Sequence, residues 1–240
     1  MSGAASETPR YWAVIPAAGG GSRMGGSRPK QYLPLAGRAL IEWSLAPFLD
    51  AGWIDGVVLV LAKNDGEYAR LPVARHPKIV TTIGGAARAE SVAAGLEVVA
   101  ARSRAFREVY VLVHDAARPC LEWADLERLR DEADDVHGGL LALPVTDTLK
   151  KGKQGKVSST EDRAFYWRAQ TPQLFALEPL RQALADCQAH NIAITDESSA
   201  MERAGYKPRL VRGRESNLKV TYPEDLALAG FWLGEQAKQP

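Results

Sequence analysis

The sequence has few of the features that mark secreted, metal-binding or membrane proteins. It contains only two cysteines, Cys120 and Cys187, which stand far apart and form no CxxC pattern. Their scarcity argues against a disulfide framework and a thiolate zinc site, and it favours a reducing compartment. No apolar run approaches the length of a membrane span, and the polar residues 1–10 have no signal-peptide core. We therefore expect a cytoplasmic protein whose residues 1–10 form a disordered tail.

An excess of charge of either sign is also lacking. Lys and Arg number 30 and Asp and Glu number 29, which gives a net charge of +1. Such a chain has no overall field to attract nucleic acid or an anionic membrane, so neither is expected as a partner. Any phosphate chemistry must come from charges placed locally. With 240 residues, 46% of them hydrophobic, the chain suits one α/β domain, which we place at residues 11–236.

Short apolar runs alternate with amphipathic stretches along the chain. Four runs are predicted to be strands buried on both faces, as in parallel sheets covered by helices: residues 11–16, 56–62, 108–113 and 139–145. The predicted helices cover residues 39–49, 88–102, 123–133, 177–189 and 196–204. This alternation predicts an α/β fold with a doubly wound, mostly parallel sheet.

The segment 147–160 interrupts the alternation. It carries four lysines around two glycines and is flanked by short β-prone stretches, so it predicts a hairpin that reaches out of the domain. We interpret the lysines as a solvated turn in preference to a nucleic-acid patch. A protruding hairpin can also embrace a second copy of the chain.

A glycine-rich loop at residues 16–26 follows the first predicted strand. Its small residues let the backbone approach a ligand, and successive amide groups can cradle phosphate oxygens. The loop has Met24 where the dinucleotide fingerprint requires glycine, and it lacks the Gly-Lys-Ser/Thr of a P-loop. Two cations, Arg23 and Lys30, accompany it. Each alone would be interpreted as a surface charge, but together they suit a triphosphate whose leaving pyrophosphate gains negative charge.

A second candidate site follows the predicted strand 108–113. Asp115 stands at the carboxyl end of that strand, where α/β folds bind ligands, and it is a candidate for holding Mg²⁺ directly or through water. A helix-cap role is disfavoured because the next predicted helix begins well beyond it. His114 is interpreted as a buried or supporting histidine, since it has no partner histidine at metal-ligand spacing. Arg88 and Ser91 open a predicted helix, where the dipole favours anions.

Several motifs together resemble those of the 2-C-methyl-D-erythritol 4-phosphate cytidylyltransferases. They are PAAGGGSRM at 16–24, PKQ at 29–31, HDAARP at 114–119, TPQ at 171–173, TDE at 195–197 and KVTYPED at 219–225. The order and spacing agree from residue 12 to about 233, and the combination is specific, although the first loop alone marks nucleotidyltransferases in general. The resemblance implies transfer of a cytidylyl group from CTP to 2-C-methyl-D-erythritol 4-phosphate in non-mevalonate isoprenoid biosynthesis. It implies Mg²⁺ or another divalent cation as cofactor. It also implies a Rossmann-like domain with a protruding β-arm, here about residues 146–168, through which two copies form a homodimer.

The resemblance further implies roles for individual residues. Arg23 and Lys30 would stabilise the pentacoordinate phosphorus and the leaving pyrophosphate, and Arg163 and Lys219 would grip the substrate phosphate. The nucleotide pocket would be lined by Ala17, Ala18, Gly19, Gly84, Arg88, Ser91 and Ala116. The polyol-phosphate pocket would be formed by Asp115, Arg118, Thr148, Arg163, Thr171, Thr195 and Lys219, with Asp115 also at the metal. In this family Thr148 and Arg163 come from the partner subunit.

Two alternatives stay open at the level of sequence. Cytidylyltransferases for another polyol phosphate, such as ribitol 5-phosphate, tend to read LAGG and DAVRP where this chain has PAAG at 16–19 and DAARP at 115–119. A non-catalytic nucleotide-binding module should have lost at least one of Arg23, Lys30 and Asp115, and all three are present. One departure weakens the expected phosphate grip locally, because family members often have a basic residue where this chain has Thr146.

Overall fold

The structure is a computed structural model that describes residues 8–19 and 28–238. Its strands are β1 (Arg10–Pro16), β2 (Pro34–Leu35), β3 (Arg38–Ala39), β4 (Ile54–Leu61), β5 (Ile79–Ile83), β6 (Val109–Val113), β7 (Gly139–Pro144), β8 (Leu149–Lys153), β9 (Lys156–Glu161), β10 (Trp167–Ala176) and β11 (Arg209–Arg212). Its α-helices are α1 (Leu40–Asp50), α2 (Arg88–Arg102), α3 (Trp123–Glu132), α4 (Leu177–Ala189), α5 (Glu197–Arg203) and α6 (Pro223–Gln236). In this part of the chain no helix is long and apolar enough to cross a membrane.

The central sheet has seven strands in the order β11-β7-β10-β6-β1-β4-β5. Strand β1 pairs in parallel with β4 and β6, β4 with β5, and β7 with β11. Strand β10 runs antiparallel between β6 and β7. The predicted doubly wound, mostly parallel α/β sheet is therefore confirmed. Since β4 and β6 flank β1 on opposite sides, the strand order reverses there, and such sheets bind ligands beyond the carboxyl ends of the strands at that point.

The central strands are buried on both faces because helices cover both sides of the sheet. Ile15 of β1 packs in one hydrophobic cluster with Phe48 of α1, and the preceding residue, Val14, packs in a second cluster with Leu96 of α2. Successive strand residues point to opposite faces, so the two clusters lie on opposite sides of the sheet. Helix α2 approaches β1 closely at Gly95, where a Cβ would lie 2.5 Å from Val14 Cγ1. This packing fixes the helix whose first residue is Arg88.

Sequence patterns located strands β1, β4, β6 and β7 and helices α1 to α5 to within about two residues. They missed the two-residue strands β2 and β3 as well as β5, β10, β11 and α6. Strands β5 and β11 are short, partly exposed edge strands without a clear apolar run. Strand β10 carries buried polar side chains in place of an apolar run. At the amino terminus Arg10, assigned from the sequence to a disordered tail, opens β1 and pairs with Asp55 at 2.6 Å. The remainder of that assignment, residues 1–7, lies outside the described residues.

The predicted hairpin is present between β7 and β10. Strands β8 and β9 pair with each other as a separate two-stranded sheet. Their turn consists of Gln154 and Gly155, with φ of 52° and 75°, which is the left-handed backbone that two-residue hairpin turns require. An exposed aromatic run follows at Phe165, Tyr166 and Trp167, of which Phe165 is 81% exposed. We refer to residues 146–168 as the arm.

Candidate active site

A cleft of about 290 Å³ lies at the carboxyl ends of β1 and β6. It gathers residues from five separate stretches of the chain, which only the fold brings together. Among the residues proposed from the sequence, those that line it are Ala17, Ala18, Gly19, Lys30, Arg88, Ser91, Asp115, Ala116 and Lys219. The cleft therefore lies at the position where the fold is expected to bind a ligand.

The wall formed by the end of β1 is tightly packed. Gln31 donates from Nε2 to the Ala17 carbonyl at 2.7 Å, and it lines the cleft although sequence reasoning assigned it no role. Gly84 lies behind this wall, where a Cβ would be 2.5 Å from Ser91 Oγ and 2.8 Å from the Ala18 Cβ. Glycine is thus required for the close approach of these two neighbours. Arg23, the predicted catalytic cation of the glycine-rich loop, lies outside the described residues.

Asp115 holds three cations together at the floor of the cleft. Its Oδ1 accepts from Arg88 Nε at 3.1 Å, and its Oδ2 lies 2.8 Å from Lys219 Nζ and 3.7 Å from Arg118 Nε. Burial acts to raise the pKa of this carboxyl, but Arg88, Lys219 and Arg118 outweigh it and hold the pKa well below its usual range. Asp115 is therefore ionised at neutral pH and offsets the mutual repulsion of its neighbours.

Arg88 makes a second ion pair that the sequence did not reveal. Its Nη1 and Nη2 contact the two carboxylate oxygens of Glu197 at 2.6 and 3.0 Å. Glu197 is the first residue of α5 and is fully buried. Burial alone would lower the pKa of Arg88, but Glu197 and Asp115 outweigh it and raise that pKa. Arg88 is consequently a permanent cation with carboxylates on two of its edges.

A chain of buried hydrogen bonds supports the Asp115 backbone. The Asp115 amide donates to Thr171 Oγ1 at 3.0 Å, and that hydroxyl lies 3.1 Å from His114 Nδ1. His114 Nε2 lies 3.2 Å from the Arg118 carbonyl, which can only accept, so the proton belongs on Nε2 and Thr171 donates to Nδ1. Burial lowers the pKa of His114 to about 4, so the ring is neutral at pH 7. His114 thus supports the site as a buried, uncharged residue.

The segment 217–221 closes the cleft on the side opposite β1. Asn217, fully buried, accepts from Arg118 Nη1 at its carbonyl at 2.6 Å and donates from Nδ2 to the Thr171 carbonyl at 2.9 Å. Lys30 Nζ donates to the Val220 carbonyl at 2.8 Å. These contacts place Lys219 beside Asp115. Asn217 was assigned no role from the sequence, because a single amide before a lysine carries no recognisable signal.

Six of the described residues proposed from the sequence do not line this cleft. Gly84, Arg118 and Thr171 contact residues that do line it, whereas the other three lie elsewhere. Arg163 lies in the arm, where its Nη1 donates to the Thr146 carbonyl, and Thr148 is exposed beside it. Thr195 lies just before α5, where its amide donates to Ser199 Oγ at 3.2 Å. Their placement neither joins them to the site nor gives them another ligand.

The donor atoms of the cleft do not form a protein cage for a metal ion. Within residues 8–19 and 28–238 no group of three His, Cys, Asp or Glu side chains is placed to hold one. Asp115 supplies a single carboxylate, whose two oxygens already contact cations. Mg²⁺ usually keeps several waters and is bound by one or two carboxylates together with substrate phosphates. The single carboxylate of Asp115 therefore fits a Mg²⁺ ion that is bound mainly by the phosphates of a nucleoside triphosphate.

The chain has a doubly wound sheet with a cation-lined cleft at its switch point. The family whose profile it matches consists of nucleotidyltransferases, a class that generally uses divalent cations. The sequence profile of the 2-C-methyl-D-erythritol 4-phosphate cytidylyltransferases matches residues 11–235, and the chain belongs to that family.

Individual relatives agree with the profile. The enzyme of that name from Pseudomonas putida KT2440 is 50% identical over 231 residues, which cover 95% of this chain and 98% of the relative. The one from Pseudomonas aeruginosa PAO1 is 52% identical over 223 residues, covering 92% and 95%. A solved 4-diphosphocytidyl-2C-methyl-D-erythritol synthase has a TM-score of 0.82 at 36% identity, covering 95% of this chain and 100% of the other. The cytidylyltransferase from Thermus thermophilus gives 0.73 at 30% identity, covering 92% and 98%.

These likenesses decide between the alternatives that the sequence left open. The chain is an enzyme, a cytidylyltransferase of non-mevalonate isoprenoid biosynthesis, and the acceptor of its family is 2-C-methyl-D-erythritol 4-phosphate. The resemblance identified from the motifs is confirmed, and the ribitol 5-phosphate and non-catalytic interpretations are not supported.

Proposed function

We propose that the cleft carries out cytidylyl transfer by positioning two anionic substrates and neutralising their charge. An oxygen of the 2-C-methyl-D-erythritol 4-phosphate attacks the α-phosphorus of CTP and forms a new P–O bond. The bond from the α-phosphorus to the bridging oxygen of the β-phosphate breaks, and pyrophosphate leaves with its electron pair. The attacking phosphate is already an anion at neutral pH, so no general base is needed.

The cationic cluster around Asp115 is the observation that carries this proposal. Arg88 and Lys219 reach the same carboxylate from distant parts of the chain, and both line the cleft. In the proposed arrangement Ala17, Ala18, Gly19, Gly84, Arg88, Ser91 and Ala116 form the nucleotide side. Lys219 holds the acceptor phosphate, with Arg118, Thr171 and Thr195 supporting that side. Asp115 lies between the two, which lets one carboxylate order both sets of cations.

The remaining cations are proposed to act on the leaving pyrophosphate. Lys30 lines the cleft and is held at the Val220 carbonyl. Together with Arg23, it is proposed to stabilise the charge that develops on the pentacoordinate phosphorus and pyrophosphate. When bound with CTP, Mg²⁺ or another divalent cation neutralises phosphate charge, and Asp115 is the described residue that would hold it.

We also propose that the arm completes the site of a second copy in a cytoplasmic homodimer. Phe165, Tyr166 and Trp167 expose an aromatic surface at the base of the arm, which a partner subunit could cover. Arg163 and Thr148 occupy the same base and lie away from the cleft of their own chain. Delivery of both residues to the partner's cleft would bring them to the substrates bound there.

Pyrophosphate release tests the reaction. With CTP and Mg²⁺, the enzyme should release pyrophosphate with 2-C-methyl-D-erythritol 4-phosphate and much more slowly with ribitol 5-phosphate at equal concentration. Equal rates would contradict the acceptor assignment, and no release with either would contradict the reaction.

Mixed dimers test the arm. A heterodimer of a Lys219→Ala chain and an Arg163→Ala chain, isolated through two different tags, has one intact site if Arg163 serves the partner, and it should show about half the wild-type activity. The matched control places both substitutions on one chain, which spoils both sites in an exchanged dimer. If Arg163 serves its own chain, the first heterodimer will be inactive and the control heterodimer will show about half the wild-type activity.

A further inference from the structure

Glu197 presents an electrostatic contradiction at the nucleotide side of the cleft. CTP brings several negative charges to this cleft, and a carboxylate nearby opposes them. Glu197 is nevertheless fully buried, and its carboxylate contacts a cation that lines the cleft. A carboxylate in this position weakens anion binding unless it contributes something else.

Its geometry indicates what it contributes. A guanidinium has five N–H donors, and in Arg88 three of them are engaged, by Glu197 from Nη1 and Nη2 and by Asp115 from Nε. The two-bond contact with Glu197 fixes both the position and the plane of the group, which a single contact would not. The two remaining donors then point in directions set by the protein before a ligand binds.

Glu197 is itself held rigidly by the sheet. It opens α5, and the amide of Gln173 on β10 fastens that first turn at two points. Gln173 Oε1 accepts from the Ser198 amide at 2.8 Å, and Nε2 donates to Asp196 Oδ2 at 2.8 Å. Asp196 also caps the helix by accepting from the Ser199 amide at 3.0 Å. The backbone of the turn that carries the Glu197 side chain is therefore anchored to β10.

We propose that Glu197 is a positioning residue, which holds the guanidinium of Arg88 in the orientation that binds the phosphates of CTP. This inference rests on the nucleotide-binding role proposed above for Arg88. Glu197 acts through Arg88 and does not itself touch the nucleotide.

The sign of the effect separates this role from a bystander charge. If Glu197 only adds negative charge, Glu197→Gln should strengthen CTP binding, since a repulsion is removed. If it orients Arg88, the same substitution removes the charge-assisted fork and should weaken CTP binding about tenfold, which corresponds to about 1.4 kcal/mol. A side chain that serves only the stability of α5 would leave the affinity unchanged in the fraction that is folded.

The experiment is a double-mutant cycle on CTP binding, read by calorimetry with Mg²⁺ and no acceptor. It compares wild type, Glu197→Gln, Arg88→Ala and the double variant. Glu197→Gln should bind CTP about tenfold more weakly, and in the Arg88→Ala background it should change the affinity by less than about twofold. Binding of the acceptor, measured separately as its KM, should change less than the KM for CTP.

Two further variants keep the result interpretable. Asp125→Asn removes another fully buried carboxylate with arginine partners, away from the cleft, and should leave CTP affinity unchanged. Glu197→Asp retains the charge at a shorter reach and should bind CTP with an affinity between wild type and Glu197→Gln. If Glu197→Gln fails to fold, judged by thermal unfolding, Glu197→Asp takes its place in the cycle.

The outcomes distinguish the role of Arg88 in CTP binding from the positioning role of Glu197. If Arg88→Ala binds CTP like wild type, the role of Arg88 is wrong and the inference falls with it. If Arg88→Ala weakens binding but Glu197→Gln leaves it unchanged or strengthens it, only the positioning role is overturned. Independent effects that multiply in the double variant would also overturn it, because Glu197 would then act without Arg88.

Discussion

Two buried carboxylates of this enzyme have similar partners and opposite properties. Asp115 binds Arg88, Arg118 and Lys219 in the cleft, while Asp125 of α3 binds Arg128 and Arg214 at 2.9 and 3.0 Å. Both oxygens of Asp115 contact cations. Asp125 places both arginines on Oδ1, and its Oδ2 has no hydrogen-bond partner among the described residues. The three cations hold the pKa of Asp115 low, whereas burial raises the pKa of Asp125.

The balance of charge explains the difference. Within the described residues the cleft cluster sets three cations against two carboxylates, Asp115 and Glu197. The cluster on α3 sets two arginines against Asp125 and Glu122 and is therefore neutral. An excess of positive charge facing an open cleft is available to a phosphate, while a balanced cluster only joins elements of the fold. Of these two clusters, the one in the candidate site is therefore the one whose cations outnumber its anions.

The largest expected difference between the clusters is in turnover. Asp115→Asn should lower kcat by about 10²–10³, because the cations proposed to bind both substrates lose their common anchor. Asp125→Asn should leave kcat within about twofold, since its partners do not line the cleft. Pyrophosphate release at saturating substrates measures both. Similar losses of kcat in the two variants would contradict this difference. They would show that each buried carboxylate supports activity only by stabilising the fold.

A second difference should appear in how stability depends on pH. The folded pKa of Asp115 lies below its unfolded value of about 3.9, so its contacts add stability above that pH and lose it as the pH falls through the folded pKa. For Asp125 the folded pKa is raised, so its charge becomes a cost as the pH rises above about 4. At pH 7, Asp115→Asn should cost about 2–3 kcal/mol, and Asp125→Asn should change stability by less than about 1 kcal/mol or increase it.

Urea unfolding at pH 7 and pH 3 checks this difference. The gap between wild type and Asp115→Asn should narrow at pH 3, because the Asp115 carboxyl of the unfolded wild-type chain then takes up a proton while that of the folded protein stays ionised. A gap that widens in acid, or a large loss in Asp125→Asn at pH 7, would contradict the opposite pKa shifts.

The smallest expected difference concerns the cations themselves. Lys219→Ala should raise the KM for the acceptor phosphate about tenfold, because a partly desolvated charge–phosphate contact contributes about 1.4 kcal/mol. Arg214→Ala removes a cation of similar exposure from the balanced cluster and should leave that KM unchanged. Steady-state kinetics at saturating CTP separates the two. An equal rise in both variants would place the acceptor elsewhere.

The parts of the fold that are best predicted from the sequence are those whose signal lies in consecutive residues. Strands β1, β4, β6 and β7 appear as uninterrupted apolar runs because helices cover them on both faces. Strand β10 lies equally deep, but it uses buried Gln170, Thr171 and Gln173 to hold segments distant in the chain. Those polar residues remove the pattern from which a strand is predicted.

For the same reason, only part of the candidate site could be predicted from the sequence. Lys219 was proposed only from the family resemblance, whereas the glycines, Lys30, Arg88 and Asp115 stand in patterns that carry a chemical meaning by themselves. Glu197 does not, because an acidic residue in the first turn of a helix normally serves the helix dipole in solvent. Its partner lies 109 residues away, and only the folded sheet shows that the two side chains meet. The roles of all the proposed site residues stay predictions, those of Arg23, Thr148, Arg163 and Thr195 among them.

The one antiparallel strand of the central sheet determines where the arm can go. Since β10 runs opposite to β6 and β7, its first residue, Trp167, pairs with Pro144 at the carboxyl end of β7. The residues that join these two ends must therefore leave the sheet at the end of the strands where the cleft lies. Had β10 been parallel to β7, the connection would have had to return to the opposite end of the strands. In the proposed arm exchange, each arm would therefore start from the end of its own sheet that bears the cleft.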